Sequence, residues 1–263
     1  MKLVLVSKLG TAADALEAHL DFHLAAGVDL IVVETDAPVR IADRFARDGA
    51  VEVVQGAAVT TAGATAADWL IKGDVNEFWW PRGGTLKELL EAVAPRYGKV
   101  QALARHLVPV TDKAKPFSER MIHRLVHGNA ERRYVRRASG AEGRLDAVRG
   151  WFPIEVLRFP ANDEPGRVYD EDALRRGVEE GLLSVDTRIR DALRALADGR
   201  SPDFACGDLV EEARFAADLT ALGEADIVRA RDRMDELEAR LAALESSFSE
   251  VVKRKLRGLR TRS

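Results

Sequence analysis

With a single cysteine, Cys206, the chain can close no intrachain disulfide and build no multi-cysteine zinc site. That usage fits a reducing compartment, and Cys206 itself reads as a small apolar residue. Long apolar runs are missing too. No window approaches the roughly 20 consecutive apolar residues of a membrane-spanning helix, and the opening MKLVLVS is far shorter than a signal-peptide core. The expectation is a cytoplasmic protein. Neither sign of charge is in excess: the formal net charge is −3 with 32% charged residues over 263 positions, so no molecule-wide field favours nucleic acid or anionic membrane. Tryptophan is scarce, four in all, yet two of them stand side by side in WLIKGDVNEFWWP.

What is present is an ordinary globular composition, 46% apolar, arranged in alternating segments. Residues 2–7 form a short β-branched run. Residues 11–26 are amphipathic, with Ala15, Leu16, His19, Leu20, His23 and Leu24 toward one face and Gly27 placed as a C-cap. VDLIVVET then reads as a second strand, PVRIADRFARDG as a helix bounded by Pro38 and Gly49, and AVEVVQ as a third strand. Strand, helix, strand, helix, strand predicts parallel βαβ units and an α/β, doubly wound, mostly parallel sheet flanked by helices. ADWLIKGDVNEFW is read as the fourth strand, GKVQALARHLVPV as a later one, and RGWFPIEVLRFP as the last strand or an edge segment. Ligands of such sheets bind at the carboxyl ends of strands, so Ser7, Asp36 and the run from Asp74 to Glu77 are the places to search.

After Pro165 the composition turns helical and charged. Beyond Gly223 the apolar positions Ile227, Ala230, Met234, Leu237, Leu241, Leu244, Phe248 and Val251 step by three and four. That spacing fits a heptad seam over residues 227–251 that could join two copies, or one amphipathic helix lying on its own domain. The terminal KRKLRGLRTRS is basic; it reads either as a solvated tail or as a weak peripheral contact with anionic lipid.

HLDFHLAAGVDLIVV, ADWLIKGDVNEFWWPRGGTLKELLEAVAPRYG, ARHLVP with FSERM after it, and RGWFPIEVLRFP together resemble the bacterial glycosyltransferase family 2-like enzymes of the GT-A fold. Their fourth-strand motif is typically Asp-Ala-Asp-Glu-Phe followed by Trp-Trp-Pro. The resemblance implies a nucleotide-sugar-binding domain over residues 1–165, followed by a helical extension over 166–222 and a long helix or coiled coil over 223–263. It implies a nucleoside diphosphate sugar as donor and a glycan or surface acceptor. Residue by residue, Asp74 matches the first motif carboxylate, Asn76 stands where the metal-binding Asp is usual, and Glu77 follows in register. Asp36 matches the acidic residue near the nucleotide, Lys8 is the candidate phosphate contact, and Arg105 and His106 match an Arg-His pair approaching the sugar pocket. Trp79 and Trp80 are expected at the sugar or acceptor pocket, or as core anchors. A divalent cation, manganese or magnesium, would be held by Asp74 and Asn76.

Three departures qualify the resemblance. The loop after the second strand keeps only Asp36 of the family's pattern, and the first-strand loop reads SKLGTAAD, leaving Lys8. The third is Arg158 in EVLRFP, where relatives carry a histidine. An arginine has no lone pair for a metal, but its guanidinium forks onto phosphates. Two readings follow: a metal-independent transferase in which Arg158 holds the diphosphate, or a catalytically inactive relative acting as scaffold. Glu155 and Asp146 are the candidate general bases, although Glu155 is equally placed to pair with Arg149 or Arg158. ERRYVRR matches no nucleic-acid-binding motif, and no nucleic acid partner is expected.

Overall fold

Short β-branched runs become strands and the segments between them become helices, in the order the periodicity predicts. The computed structural model describes residues 1–47, 49–56, 66–95, 97–110, 115, 117–120, 122–126, 132–138, 153–160 and 170–204. The chain divides into two units, Met1–Ala213 and Arg214–Ser263, and every described residue lies in the first. The expected seam over residues 227–251, the basic tail, Cys206 and Asp146 lie outside the described residues.

In chain order the elements are β1 (Leu3–Lys8), a 3-10 turn (Ala13–Ala15) leading into α1 (Leu16–Ala25), β2 (Leu30–Thr35), α2 (Asp43–Arg47), β3 (Val51–Gln55), β4 (Trp69–Asp74) and β5 (Glu77–Pro81). There follow α3 (Leu86–Glu91), β6 (Lys99–Val108), α4 (Phe117–Arg120), β7 (His123–Leu125), β8 (Arg132–Arg137), β9 (Ile154–Arg158), α5 (Glu171–Glu179), β10 (Leu183–Val185) and α6 (Arg188–Ala197). Local chemistry explains the joints. Gly27 takes φ +92° after α1, so its N–H reaches the Leu24 carbonyl and the Val28 N–H reaches that of His23, as a left-handed helix cap requires. Thr85 and Glu88 form a reciprocal capping box that starts α3.

The strands form one ten-stranded mixed sheet in the order β10-β7-β6-β8-β4-β1-β2-β3, with β9 between β6 and β5. β3, β2, β1 and β4 are mutually parallel, and β5, β7 and β8 run against the other strands. The result is an α/β fold. Its chain order reverses beside β1: β2 and β3 lie to one side and β4 to the other, and outside the carboxyl ends of strands at such a reversal is where open α/β sheets form their ligand crevice.

Three local readings of the sequence change. ADWLIKGDVNEFW is two strands, because the chain leaves the sheet after Asp74 and β5 pairs antiparallel with β9. The helix expected to begin near Pro38 is confined to Asp43–Arg47. β9 is interior rather than an edge, paired on both sides. In addition, the segment expected as a purely helical extension contributes β10 to the sheet, and α6 packs on α1. Among the described residues no helix is long and apolar enough to cross a membrane.

The core beneath the crevice is aromatic and contains two fully buried histidines. His23 Nε2 accepts the Trp79 N–H at 3.1 Å, so its Nδ1 carries the proton and donates to the His19 carbonyl at 2.8 Å. His19 Nε2 lies 2.8 Å from the Ser7 hydroxyl, and the two imidazoles are in contact, with centroids 4.1 Å apart and planes tilted by 53°. α1 is thereby tied to β1 and β5. Burial holds the His19 pKa well below the usual imidazole range, helped by His23, and lowers that of His23 to about 3.

Both imidazoles are neutral when folded, while the unfolded chain begins to protonate them near their ordinary value of 6.5. Stability from their burial is therefore complete above that value and is lost as pH falls toward the folded pKa. The slope is up to about 1.4 kcal/mol per pH unit for each group. Glu77 and Asp21, raised by burial, oppose this, since acid relieves the cost of their ionisation. Arg44 and Arg133 pull the Asp21 and Glu77 shifts back, whereas among the described residues no carboxylate offsets the lowering of either imidazole, so the histidines set the sign. Urea midpoints measured from about pH 7 to about pH 5 should fall steadily; a flat profile would show that the histidines are hydrated.

Candidate functional site

Two adjoining groups of residues occupy the carboxyl edge of the sheet. The first lies at the ends of β1 and β2. Lys8, Gly10, Glu34, Thr35, Asp36 and Gly56 help to line a cavity of ≈ 350 Å³. Its floor is fixed by backbone: Leu9 N–H donates to the Glu34 carbonyl at 2.9 Å and Gly56 N–H to that of Thr35 at 3.0 Å. Thr35 shapes the wall through its hydroxyl, which donates to the Ala37 carbonyl at 2.7 Å. Lys8 is exposed and has no ion-pair partner among the described residues. Its register partners are Glu34 on β2 and Asp74 on β4, so the lysine stands between two carboxylates in one row across the sheet. Sequence reading picks out Lys8 and Asp36 but misses Glu34, whose Oε1 is buried without a hydrogen-bond partner.

The second group surrounds the β4–β5 turn. Val75 N–H donates to the Lys8 carbonyl at 2.9 Å, and Phe159 N–H to the Asn76 carbonyl at 2.9 Å. The Asn76 side-chain amide donates to the Phe159 carbonyl at 2.5 Å. Asn76 thus locks the turn to the end of β9, while its Oδ1 is buried without a partner. Glu77 follows, fully buried. Arg133 donates to its Oε1 from Nη2 at 2.6 Å and from Nε at 3.1 Å, and Arg158 Nε lies 3.9 Å from the same oxygen. Glu77 Oε2 faces the Asp74 N–H at 3.4 Å. Burial raises the Glu77 pKa against the opposing pull of Arg133. Gly73 is required here: a Cβ would stand 2.6 Å from Glu77 Oε2 and 3.1 Å from Trp79 Nε1. Register sets Glu77, Arg158 and His106 side by side across β5, β9 and β6, and the turn brings Asp74 to the same place.

Other expected site residues have different surroundings. Trp79 and Trp80 are core anchors rather than pocket walls. Both are essentially fully buried, and Trp80 packs on Phe22 and Phe204. Glu155 is enclosed by arginines that the sequence does not pair with it. Arg188 Nη1 contacts its Oε2 at 2.7 Å and Arg105 Nε its Oε1 at 3.2 Å. Arg188 also forks onto Asp186 at 2.9 and 2.7 Å, and Arg124 Nε is 3.7 Å from Asp186. The guanidinium of Arg188 lies 5.4 Å from the Trp80 ring centre. Although burial alone would raise them, Arg188 and its neighbours hold the Glu155 and Asp186 carboxyls below their ordinary values. A general base gains from the opposite shift, so this geometry makes Glu155 a strut between β9, β6 and α6, with Arg105 as its partner.

Asp146 cannot be placed, being outside the described residues. Among the described residues no group of three or more His, Cys, Asp or Glu is arranged to hold a metal ion. No family model and no curated protein matches the sequence. Solved structures similar to the chain include S. aureus TarS, at 11% identity over 78% of this chain and 44% of that one, with a TM-score of 0.35. A second is the nucleotidyl transferase Mth528 from Methanothermobacter thermautotroptrophicus, at 12% identity over 72% of this chain and 90% of that one, with a TM-score of 0.24. The chain thus spans less than half the length of TarS, and both likenesses are too distant to bear on the site.

Arg188 is the joint on which the buried network turns. Replacing it by Met leaves two buried carboxylates without their main cation, which should cost about 3–5 kcal/mol, measured by urea denaturation. A loss below about 1 kcal/mol would mean that the carboxylates are hydrated and the network is only a surface one.

Proposed function

We propose that the chain binds a nucleoside diphosphate sugar in the crevice at the ends of β1, β2 and β4 and transfers its sugar to a glycan or surface acceptor. The nucleoside fits the cavity beside Asp36 and Glu34, whose carboxylates accept hydrogen bonds from base or ribose. Lys8 and Arg158 meet the diphosphate. The observation that carries this reading is the convergence of Arg158 on the β4–β5 turn, level with Glu77 and His106, with Arg158 and the Asp74 N–H on the two oxygens of the Glu77 carboxylate.

Departure of the sugar builds negative charge on the diphosphate, and preformed cations stabilise it without reorganisation. A guanidinium binds two phosphate oxygens at once. The donors near the turn suit a divalent ion poorly: Asp74 is a carboxylate and Asn76 offers one amide oxygen, but the neighbouring Glu77 is already engaged by arginine. If a manganese or magnesium ion is used, Asp74 and Asn76 are the residues that would hold it, and it would supply the same neutralisation of the leaving group.

A second reading, a relative that binds nucleotide but transfers nothing, is favoured by Glu155. Its carboxylate is spent on Arg188 and Arg105, which removes Glu155 as the base that an acceptor hydroxyl needs.

Calorimetric titration with uridine and guanosine diphosphates, in manganese and in chelator, separates these readings when combined with a donor-hydrolysis assay. Binding that survives chelation is expected, and turnover distinguishes transferase from scaffold. Arg158→Ala should weaken diphosphate binding at least about tenfold, or about 1.4 kcal/mol; unchanged affinity would discard the guanidinium clamp. Asn76→Asp combined with Arg158→His should make binding depend on manganese. No binding of either nucleotide overturns the proposed function.

A further inference from the structure

Of the four exposed large apolar side chains among the described residues, three gather at one end of the sheet. Val126, Leu182 and Val185 are 40%, 56% and 57% exposed. Val126 N–H donates to the Leu182 carbonyl at 3.1 Å, which makes these two residues neighbours across the β7–β10 ladder. Val185 ends β10 itself. Val126 and Leu182 share one face and Val185, by alternation, lies on the other, so exposed apolar side chains flank the edge of β10 on both faces, where scattered ones would need no explanation.

Among the described residues β10 is the terminal strand of the sheet and pairs with β7 alone. The flanking hydrogen bonds fix which backbone groups it spends there. The Leu182 carbonyl accepts from Val126 and the Asp186 N–H donates to Ile122, so the even-numbered residues face β7. By alternation the N–H and C=O of Leu183 and Val185 point outward. Such an edge is normally guarded by charge, proline, a bulge or shortness, and β10, at three residues, has only the last of these. Here residues 181–185 read Gly-Leu-Leu-Ser-Val, without a charge or a proline. The strand is also held firmly from behind. Gly177 of α5 lies so close that a Cβ there would stand 2.8 Å from Leu183 Cδ1, and Leu183 is buried with Val108, Val110 and Leu174.

We infer that the free edge of β10 pairs with the same edge of a second copy of this chain, antiparallel about Ser184. In that register Leu183 faces the partner's Val185 and exchanges both backbone hydrogen bonds with it, and the reciprocal pair does the same. Leu182 faces the partner's Asp186, whose carboxylate is already neutralised by Arg188 and Arg124 on its own chain. No like charges are set opposite one another, and four outward groups per chain become paired. A foreign strand would satisfy the same backbone, but the uncharged segment is complementary to itself about Ser184 and needs no other sequence. This contact is independent of the nucleotide reading and of residues 227–251.

Sedimentation equilibrium of the full chain tests it. Wild type should pass from monomer to dimer between about 1 and about 200 µM. Val185→Pro removes an outward N–H and leaves the β7 ladder intact; Leu182→Lys puts a charge on the uncharged edge. Each should raise the dissociation constant at least about tenfold, or about 1.4 kcal/mol, with circular dichroism and the urea midpoint showing that the fold is kept. A weakened dimer in either folded variant supports the edge contact, and if Val185→Pro does not fold, Leu182→Lys decides alone. A monomer over the whole range, or a wild-type constant unchanged in the folded variants, overturns it, the latter placing association elsewhere.

Discussion

A carboxylate with no access to water has to be neutralised by its neighbours, and Glu77 at the start of β5 imposes that requirement on much of the structure. Leaving it unpaired inside the protein would cost several kcal/mol. Arg133 therefore comes from β8 and Arg158 from β9, and Gly73 has no side chain so that the carboxylate can lie against β4. Three strands distant in sequence are brought to one point. The β4–β5 turn is fixed from the other side by Asn76 on Phe159 and by Val75 on Lys8. Geometry that looks like the furniture of a binding site is also what keeps the turn in place. This dual role is why single substitutions at Glu77 or Arg133 would report on folding and on binding together.

Below the turn, the histidines do for α1 what the arginines do for β9. An apolar side chain at His23 would leave the Trp79 N–H without its partner, at a cost on the order of 1–3 kcal/mol. A neutral imidazole accepts from that N–H and donates to the His19 carbonyl with a single ring, while its face packs against the tilted ring of His19. The aromatic residues Phe22, Phe78 and Trp80 fill the remaining space.

Sequence pattern made the parallel half legible, because β1, β2 and β4 are apolar runs bounded by turn residues and α1 carries a visible stripe. Asp36, Lys8 and Asp74 were legible for a related reason: they follow directly on those strands, where chain direction alone dictates the edge they reach. Pairings across long separations were not. Nothing local distinguishes Glu155 with Arg188, 33 residues on, from Glu155 with Arg149 or Arg158, and register decides it only after β9 and β6 are paired. The break inside ADWLIKGDVNEFW was hidden because Val75 is as apolar as its neighbours and Gly73 reads as a packing residue. Trp79 and Trp80 left two readings open, pocket wall or core anchor, because adjacent residues on a strand point to opposite faces and only the assembled fold shows that both faces of β5 are covered.

The charges at the turn bear on how a diphosphate could be met. Asp74 and Glu77 carry two negative charges, Arg133 and Arg158 two positive ones, and Asn76 none, so the group is neutral as it stands. An aspartate at 76 and a neutral histidine at 158 would shift the sum by two units to −2, the charge that one divalent cation cancels. Asn76 and Arg158 therefore act on the charge of the turn in the same direction. On the proposed function, a pyrophosphate drawn by Lys8 would meet a neutral cluster that needs no intermediary, whereas a doubly negative one would repel it until an ion arrived. Asn76 and Arg158 make sense as a pair, which neither does alone: each substitution by itself would leave one uncompensated charge at a turn where Glu77 is already fully buried.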